Sequence, residues 1–178
     1  MRIVLHICCG VCAAGVVERL TAEGHEVRGF FYNPNIHPLA EYEQRVAAAQ
    51  QVAQELNFPL SVGAYDAEEW FKETAALADE PEGGRRCAVC FRFRLRKTHL
   101  YLQETGGDAF TTTLTVSPSK PAAVVNQVGG EIGGEQFLPR DFKKKDGFKR
   151  SSELARQWAI YRQHYCGCVY SQRDSTHR

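Results

Sequence analysis

A chain of 178 residues, 43% hydrophobic and 24% charged, is long enough for one domain with a sizeable core and has no apolar run of membrane-spanning length. Its net charge of +1 excludes a protein that coats nucleic acid by bulk charge, although the basic residues are bunched. Its seven cysteines, an odd number, exclude a fully paired disulfide framework.

The opening Met1-Arg2-Ile3-Val4-Leu5-His6 is too short in its apolar part for a secretory signal, and no small-residue cleavage pattern follows it. The expectation is a cytoplasmic protein without a membrane partner, built as a single α/β domain over residues 1–178 with a flexible tail at about 171–178. In a reducing compartment, clustered thiols mean metal binding or redox chemistry more often than structural disulfides.

Ile3, Val4, Leu5 and Ile7 make residues 2–7 a buried strand, which runs directly into Cys8-Cys9-Gly10-Val11-Cys12. From residue 13, Ala13, Val16, Val17 and Leu20 repeat at helical spacing, and Gly24 is a natural stop. A second strand over 27–32 leads into Asn33-Pro34-Asn35-Ile36-His37-Pro38, whose prolines forbid regular structure. Tyr42, Val46, Ala49, Ala53 and Leu56 predict a helix that ends before Pro59. A third strand over 60–64 follows, then a helix that Asp66 caps with Glu69 three residues on. This βαβαβα order argues for a Rossmann-like parallel sheet with helices on both faces.

Beyond the acidic breaker of residues 79–84, a helix over 87–104 opens with Cys87-Ala88-Val89-Cys90 and ends at Gly106-Gly107. A fourth strand is predicted at 110–114, and Ser117-Pro118-Ser119-Lys120-Pro121 starts another helix. Residues 129–134 read as a loose glycine-rich loop, 137–139 as an edge segment and 140–148 as a charged loop. Ser151 is the predicted cap of the last helix, which carries Leu154, Trp158 and Tyr161 on one face before Cys166-Gly167-Cys168 returns the chain to a metal site.

All seven cysteines fall into three tight groups, and none is left to act as core filler. Cys87 and Cys90 share a face of a first helical turn, near the positive end of the helix dipole and beside Arg85 and Arg86, which favours thiolate. A lone CxxC of this kind suits a metal or a redox pair equally. Cys8, Cys9 and Cys12 occupy the turn where α/β folds place their ligand site. Adjacent side chains diverge, so Cys8 and Cys9 are expected to serve two metals, or opposite sides of one cluster. Cys166 and Cys168 are too close in sequence for the usual structural zinc spacing. Seven thiols exceed the four of one zinc ion or one [4Fe–4S] cluster, and neither ferredoxin spacing is present. Two metal centres, or one centre and a redox dithiol, account for the excess.

Read together, the segments resemble the QueH-type epoxyqueuosine reductases of queuosine biosynthesis. The matching pieces include Cys8-Cys9-Gly10-Val11-Cys12, the loop from Tyr32 to Pro38 with Glu41-Tyr42, and Glu82-Gly83-Gly84-Arg85-Arg86-Cys87 through Cys90-Phe91. They continue with Arg94-Leu95, Thr112-Thr113-Leu114, Ser117-Pro118, Asp141-Phe142-Lys143-Lys144 with Asp146-Gly147, and Tyr161-Arg162-Gln163 through Tyr165-Cys166-Gly167-Cys168. Members often have Ala-Pro in place of Gly10-Val11 and an aromatic in place of Ser119, and an aspartate can stand where Cys12 lies.

The resemblance implies a HUP-class fold and an oxidoreductase that removes the epoxide oxygen of epoxyqueuosine at the wobble position of tRNA. It implies a [4Fe–4S] cluster beside a second mononuclear metal ion, expected to be iron, a low-potential electron donor and no corrinoid. The metal ligands would be Cys8, Cys9, Cys12, Cys87, Cys90, Cys166 and Cys168. Loop residues Tyr32, His37, Glu41, Asp141, Asp146 and Tyr165 are candidates to supply protons. Arg85, Arg86, Arg92, Arg94, Lys97, Lys143, Lys144 and Lys145, with Phe142 and Phe148, have the chemistry to hold phosphates and splayed bases. The competing readings are a CxxC thiol–disulfide oxidoreductase, a zinc-stabilised RNA-binding module, and an ATP-dependent tRNA-modifying enzyme. The last would need a Ser-Gly-Gly loop where this chain has cysteines.

Overall fold

A computed structural model describes residues 1–175. Four parallel strands, β1 (Arg2–Ile7), β2 (Glu26–Phe31), β3 (Leu60–Val62) and β4 (Ala109–Thr112), form one sheet in the order β3-β2-β1-β4. The helices are α1 (Gly10–Ala22), α2 (Leu39–Glu55), α3 (Ala67–Thr74), α4 (Arg85–Thr105), α5 (Ala122–Gly133), α6 (Gly147–Gln157) and α7 (Val169–Ser175). The predicted α/β class and parallel sheet are thus present. Helix α1 packs against α2 and α6, whereas α4 packs against α3, α5 and β1. Among the described residues no helix is long and apolar enough to cross a membrane.

Strand β1 is central and almost wholly buried, as its unbroken apolar run demands. Because the chain builds outward from β1 through β2 to β3 and then returns to β1's other side with β4, the order reverses between β1 and β4. Open α/β sheets form their ligand crevice at such a switch point, beyond the carboxyl ends of the strands. Cys8 follows β1 immediately, and the 3-10 turn Thr113–Val116 follows β4 immediately.

Four sequence expectations change. The supposed loop at 129–134 is mostly the end of α5: Gly129 and Gly133 are there because a Cβ would come within 2.3 Å of the Phe137 and Phe110 rings respectively. Ser151 does not cap a helix. It is buried inside α6 against Gly15, where a Cβ would sit 2.4 Å from its Oγ, and α6 starts four residues earlier than Ser151, at Gly147. Trp158 and Tyr161 lie beyond that helix. Asp66 precedes α3 without a side-chain capping bond, because its carboxylate is taken by the Tyr32 hydroxyl. Helix α7 covers 171–175 of the tail expected to be flexible, a flexibility that stays an expectation, and residues 176–178 lie outside the described residues. The edge segment at 137–139 does form, as a parallel bridge from Phe110 to Phe137.

Candidate metal centre

The chain bends at Cys8 and takes one extended step at Cys9 before α1 starts. Cys9 is the N-cap residue, its sulfur accepting the backbone N–H of Cys12 at 3.4 Å. That bend overturns the expected divergence. The sulfurs of Cys8 and Cys9 are 3.9 Å apart, and those of Cys8, Cys9 and Cys12 all lie within 4.8 Å of one another. All three residues are buried and free of disulfides.

Such crowding allows one thiolate more readily than three. Hydrogen bonds from Cys12 and Cys9 pull the Cys8 thiol well below its ordinary range. Cys12 also pulls Cys9 down, but Cys8 and burial outweigh it and push Cys9 up to about 12. Cys12 is driven up by Cys8, Cys9 and burial together. From β4's side, Thr113 accepts the Cys8 N–H at 3.0 Å and donates its hydroxyl to the Cys8 sulfur at 3.2 Å.

The remaining four thiols gather opposite. Cys90 and Cys168 share a small apolar cluster with Trp70. Cys87 and Cys166 line one cavity together. Backbone N–H groups reach two of these sulfurs: Gly83 donates to Cys87 at 3.2 Å, and Ser171 to Cys168 at 3.3 Å. Burial and Cys166 push Cys168 up to about 12, and burial raises Cys87. Between the two thiol groups lies Arg94, 2% exposed, with Nη1 3.7 Å from the Cys90 sulfur and its Nε without a hydrogen-bond partner.

A cavity of about 470 Å3 joins the groups, with Cys8 and Cys12 on one side, Cys166 on another, and Phe148 and Arg162 also in its lining. This is an ordinary size for a small-molecule or nucleoside site. Lys120 projects into it as well. Burial pulls its ammonium down, but Cys166, Cys8 and Cys12 outweigh burial and hold it firmly protonated.

The sequence model of the family "Epoxyqueuosine reductase QueH" matches residues 3–174. The chain belongs to this family. It is 39% identical over 178 residues to epoxyqueuosine reductase QueH of Streptococcus pyogenes serotype M1, an alignment covering 95% of this chain and 69% of that protein. To the Thermotoga maritima QueH it is 34% identical over 177 residues, covering 95% and 89% of the two chains. To that of Dehalococcoides mccartyi it is 32% identical over 175 residues, covering 96% and 92%. A looser likeness in fold is to the U34-tRNA thiolase NcsA of Methanococcus maripaludis, solved with its [4Fe-4S] cluster, at a TM-score of 0.47 and 10% identity over 88% of this chain and 65% of that one.

In this QueH chain the proton-donor candidates are scattered. Tyr165 lines the cavity, its hydroxyl donating to the His37 carbonyl. Tyr32 does not reach the cavity: it is buried, donates to Asp66 at 2.7 Å, and is held protonated by burial and that carboxylate. His37 sits between Trp70 and Phe71 with neither ring nitrogen hydrogen-bonded, and burial lowers it to about 4. Glu41 is occupied by Arg45 at 2.7 Å and by the Tyr161 hydroxyl at 2.7 Å. Asp141 pairs with Lys143 at 3.3 Å, and exposed Asp146 precedes α6.

The basic candidates divide by burial. Arg86 and Arg94 are interior, so neither belongs to an outward phosphate-binding surface. Arg86 is 1% exposed and gives Nη1 to the carbonyls of Leu77, Ala78 and Glu80. Lys143 is half-buried, with Nζ on the Thr115 and Lys120 carbonyls, and Phe142 is core. Arg85, Arg92 and Lys97 are exposed but paired with Glu80, Glu131 and Asp66. Lys144 and Lys145 are exposed and carry no ion pair among the described residues.

Sequence reasoning missed Lys120, Thr113 and Arg45 as parts of the site. Arg45 had a signal: it stands one turn after Glu41, next to Val46 on a helix face otherwise apolar, and is 2% exposed. Its guanidinium donates to the Cys166 carbonyl at 2.8 Å and the Tyr165 carbonyl at 3.0 Å, fixing the Cys-Gly-Cys segment over the cavity.

Proposed function

We propose that this chain is an epoxyqueuosine reductase acting on tRNA, and that its cavity takes the wobble nucleoside. Membership of the family supports the reaction; the observation that carries its location is the convergence of the Cys8, Cys9 and Cys12 sulfurs within 4.8 Å at a cavity of nucleoside size. The donor set suits the expected metals. Sulfurs about 3.8 Å apart are what one tetrahedral ion with metal–sulfur bonds near 2.3 Å requires, and Cys8 and Cys9 are 3.9 Å apart. Cys8, Cys9 and Cys12 would therefore hold the single ion, and Cys87, Cys90, Cys166 and Cys168 the [4Fe–4S] cluster.

Converting an epoxide to an alkene and water takes two electrons and two protons. When bound, the two centres would supply the electrons and a Lewis acid for C–O cleavage. The chain's own residues prepare the site for that chemistry. Arg94 and Lys120 place positive charge among buried thiolates, offsetting the cost of gathering like charges. Arg45 holds the Cys166 and Tyr165 backbone. Lys120 and Tyr165 line the cavity together with Cys8, Cys12 and Cys166 and are the residues we assign to proton supply.

The test is anaerobic incubation of reconstituted protein, a low-potential reductant and epoxyqueuosine-bearing tRNA, with no corrinoid added, followed by nucleoside analysis. Queuosine is the expected product, and an iron-loaded protein that forms none overturns the reading. A CxxC oxidoreductase predicts a colourless protein, and a zinc module predicts zinc without iron or acid-labile sulfide; metal analysis separates both.

A further inference from the structure

The rim of the cavity carries an exposed aromatic ring paired with an arginine. Phe148, near the start of α6, is 37% exposed, the exposed one among ten phenylalanines. The Arg162 guanidinium lies over this ring, 5.9 Å from its centroid, which leaves the opposite face for a stacking partner. Both side chains line the same cavity as Cys8 and Cys12. Arg162 is exposed and without an ion pair among the described residues, and so is Lys149, next to Phe148. An exposed cation–π pair contributes only weakly to stability.

A base splayed out of an RNA loop loses the neighbours on its faces and regains them by stacking on an aromatic or guanidinium plane. Arg162 alone can hold a phosphate, but the phenyl ring under it offers a stacking face and no donor. We propose that Phe148, with Arg162 beside it, is the platform on which the wobble base stacks, so that the substituent of that base projects inward to the thiols. The proposal rests on the tRNA-reductase reading above and names Phe148 as the residue that positions its substrate. Stacking of one base on one ring corresponds to about tenfold to a hundredfold in affinity.

The experiment uses reconstituted protein and an anticodon stem-loop carrying epoxyqueuosine at the wobble position, with the same loop abasic there as control. In F148W the new indole joins only Trp70, which is buried, and Trp158, so the wild-type titration supplies the baseline. The F148W emission is expected to be quenched by the base-bearing loop and not by the abasic one. F148A is expected to weaken stem-loop binding and raise KM by about tenfold to a hundredfold, with kcat and iron content little changed. F148Y should retain binding, and F148L should not restore it. Equal quenching by both loops, no quenching by either, or wild-type binding by F148L or F148A overturns the proposal. Fluorescence reports binding and not reduction. A protein that stacks the base yet makes no queuosine overturns the reductase reading alone, and one that makes queuosine with F148A unaffected overturns the stacking alone.

Discussion

Thr113 and Cys8 are bonded in both directions, the Cys8 N–H donating to the threonine oxygen at 3.0 Å and the threonine hydroxyl donating to the Cys8 sulfur at 3.2 Å. Cys8 follows β1 and Thr113 follows β4, so this pair ties the two lips of the crevice together at the cavity that Cys8 lines. Metal ligands held in this way lose orientation when the supporting group goes, and such changes cost about 10- to 100-fold in metal affinity. Thr113→Val keeps the shape and removes the hydroxyl. It is expected to lose iron to a chelator that much more readily, while Thr113→Ser retains it. Iron retention by the valine variant equal to wild type would remove Thr113 from the site.

Glu41 has a structural duty that a proton-donor role would not predict. Its carboxylate holds Arg45, 2% exposed, and accepts the Tyr161 hydroxyl, while Arg45 grips the backbone of Tyr165 and Cys166. Removing one partner of a buried pair leaves a stranded charge, typically at a cost of about 3–5 kcal/mol. Glu41→Ala should therefore lower the unfolding free energy measured in urea by about 3–5 kcal/mol and expose Cys166 and Cys168 to thiol reagents in the metal-free protein. A variant that is as stable as wild type, and as resistant to those reagents, but shows a displaced pH–rate profile would return Glu41 to a chemical role.

The sequence made the sheet legible because its strands are short apolar runs between glycines and prolines, and the alternation with helical stripes fixes a parallel order. The three cysteine groups stood out as candidate metal ligands from their clustering alone, and the fold brings the sulfurs of Cys8, Cys9 and Cys12 within 4.8 Å of one another. That convergence was not legible. Whether Cys8 and Cys9 point apart or together depends on the extended step at Cys9, a backbone detail that no spacing reveals. Arg86 and Arg94 read as surface charge because a CxxC helix rich in arginine looks solvated; Arg86 is instead turned back onto the Leu77 and Ala78 carbonyls and Arg94 onto the Cys90 sulfur one turn before it, inside the fold. Lys120 stood inside a motif that punctuates a helix start, and only the fold shows it facing sulfur.

Gly129 and Gly133 mislead in the same manner, since a glycine cluster usually signals a loop. Their neighbour Gly130 provides the internal control, because a Cβ there meets nothing within 4 Å. Gly129→Ala drives a methyl into the buried Phe137 ring and should destabilise the protein by about 1–3 kcal/mol, as overpacking does. Gly130→Ala should stabilise it by about 0.5–1 kcal/mol through helix propensity. Thermal or urea unfolding of the two variants checks the opposition of sign. Two effects of the same sign would contradict the packing.

Glu18 and Arg150 form a pH-sensitive pair on α1 and α6. Glu18 on α1 accepts two hydrogen bonds from Arg150 on α6, at 2.8 and 2.6 Å, which hold its carboxyl below the ordinary value of 4.5. A carboxylate depressed in the folded state contributes its stability above the unfolded value, and that contribution is lost as pH falls through the folded one. Both side chains are more than a third exposed, so solvent screening limits the pair to less than about 1 kcal/mol. Glu18→Gln should therefore be slightly less stable than wild type at neutral pH, with the difference closing as pH drops below 4.5 and shrinking in high salt. Urea midpoints for both proteins across that range decide it: a gap that persists once Glu18 is protonated would mean that the glutamate acts by packing and not by charge.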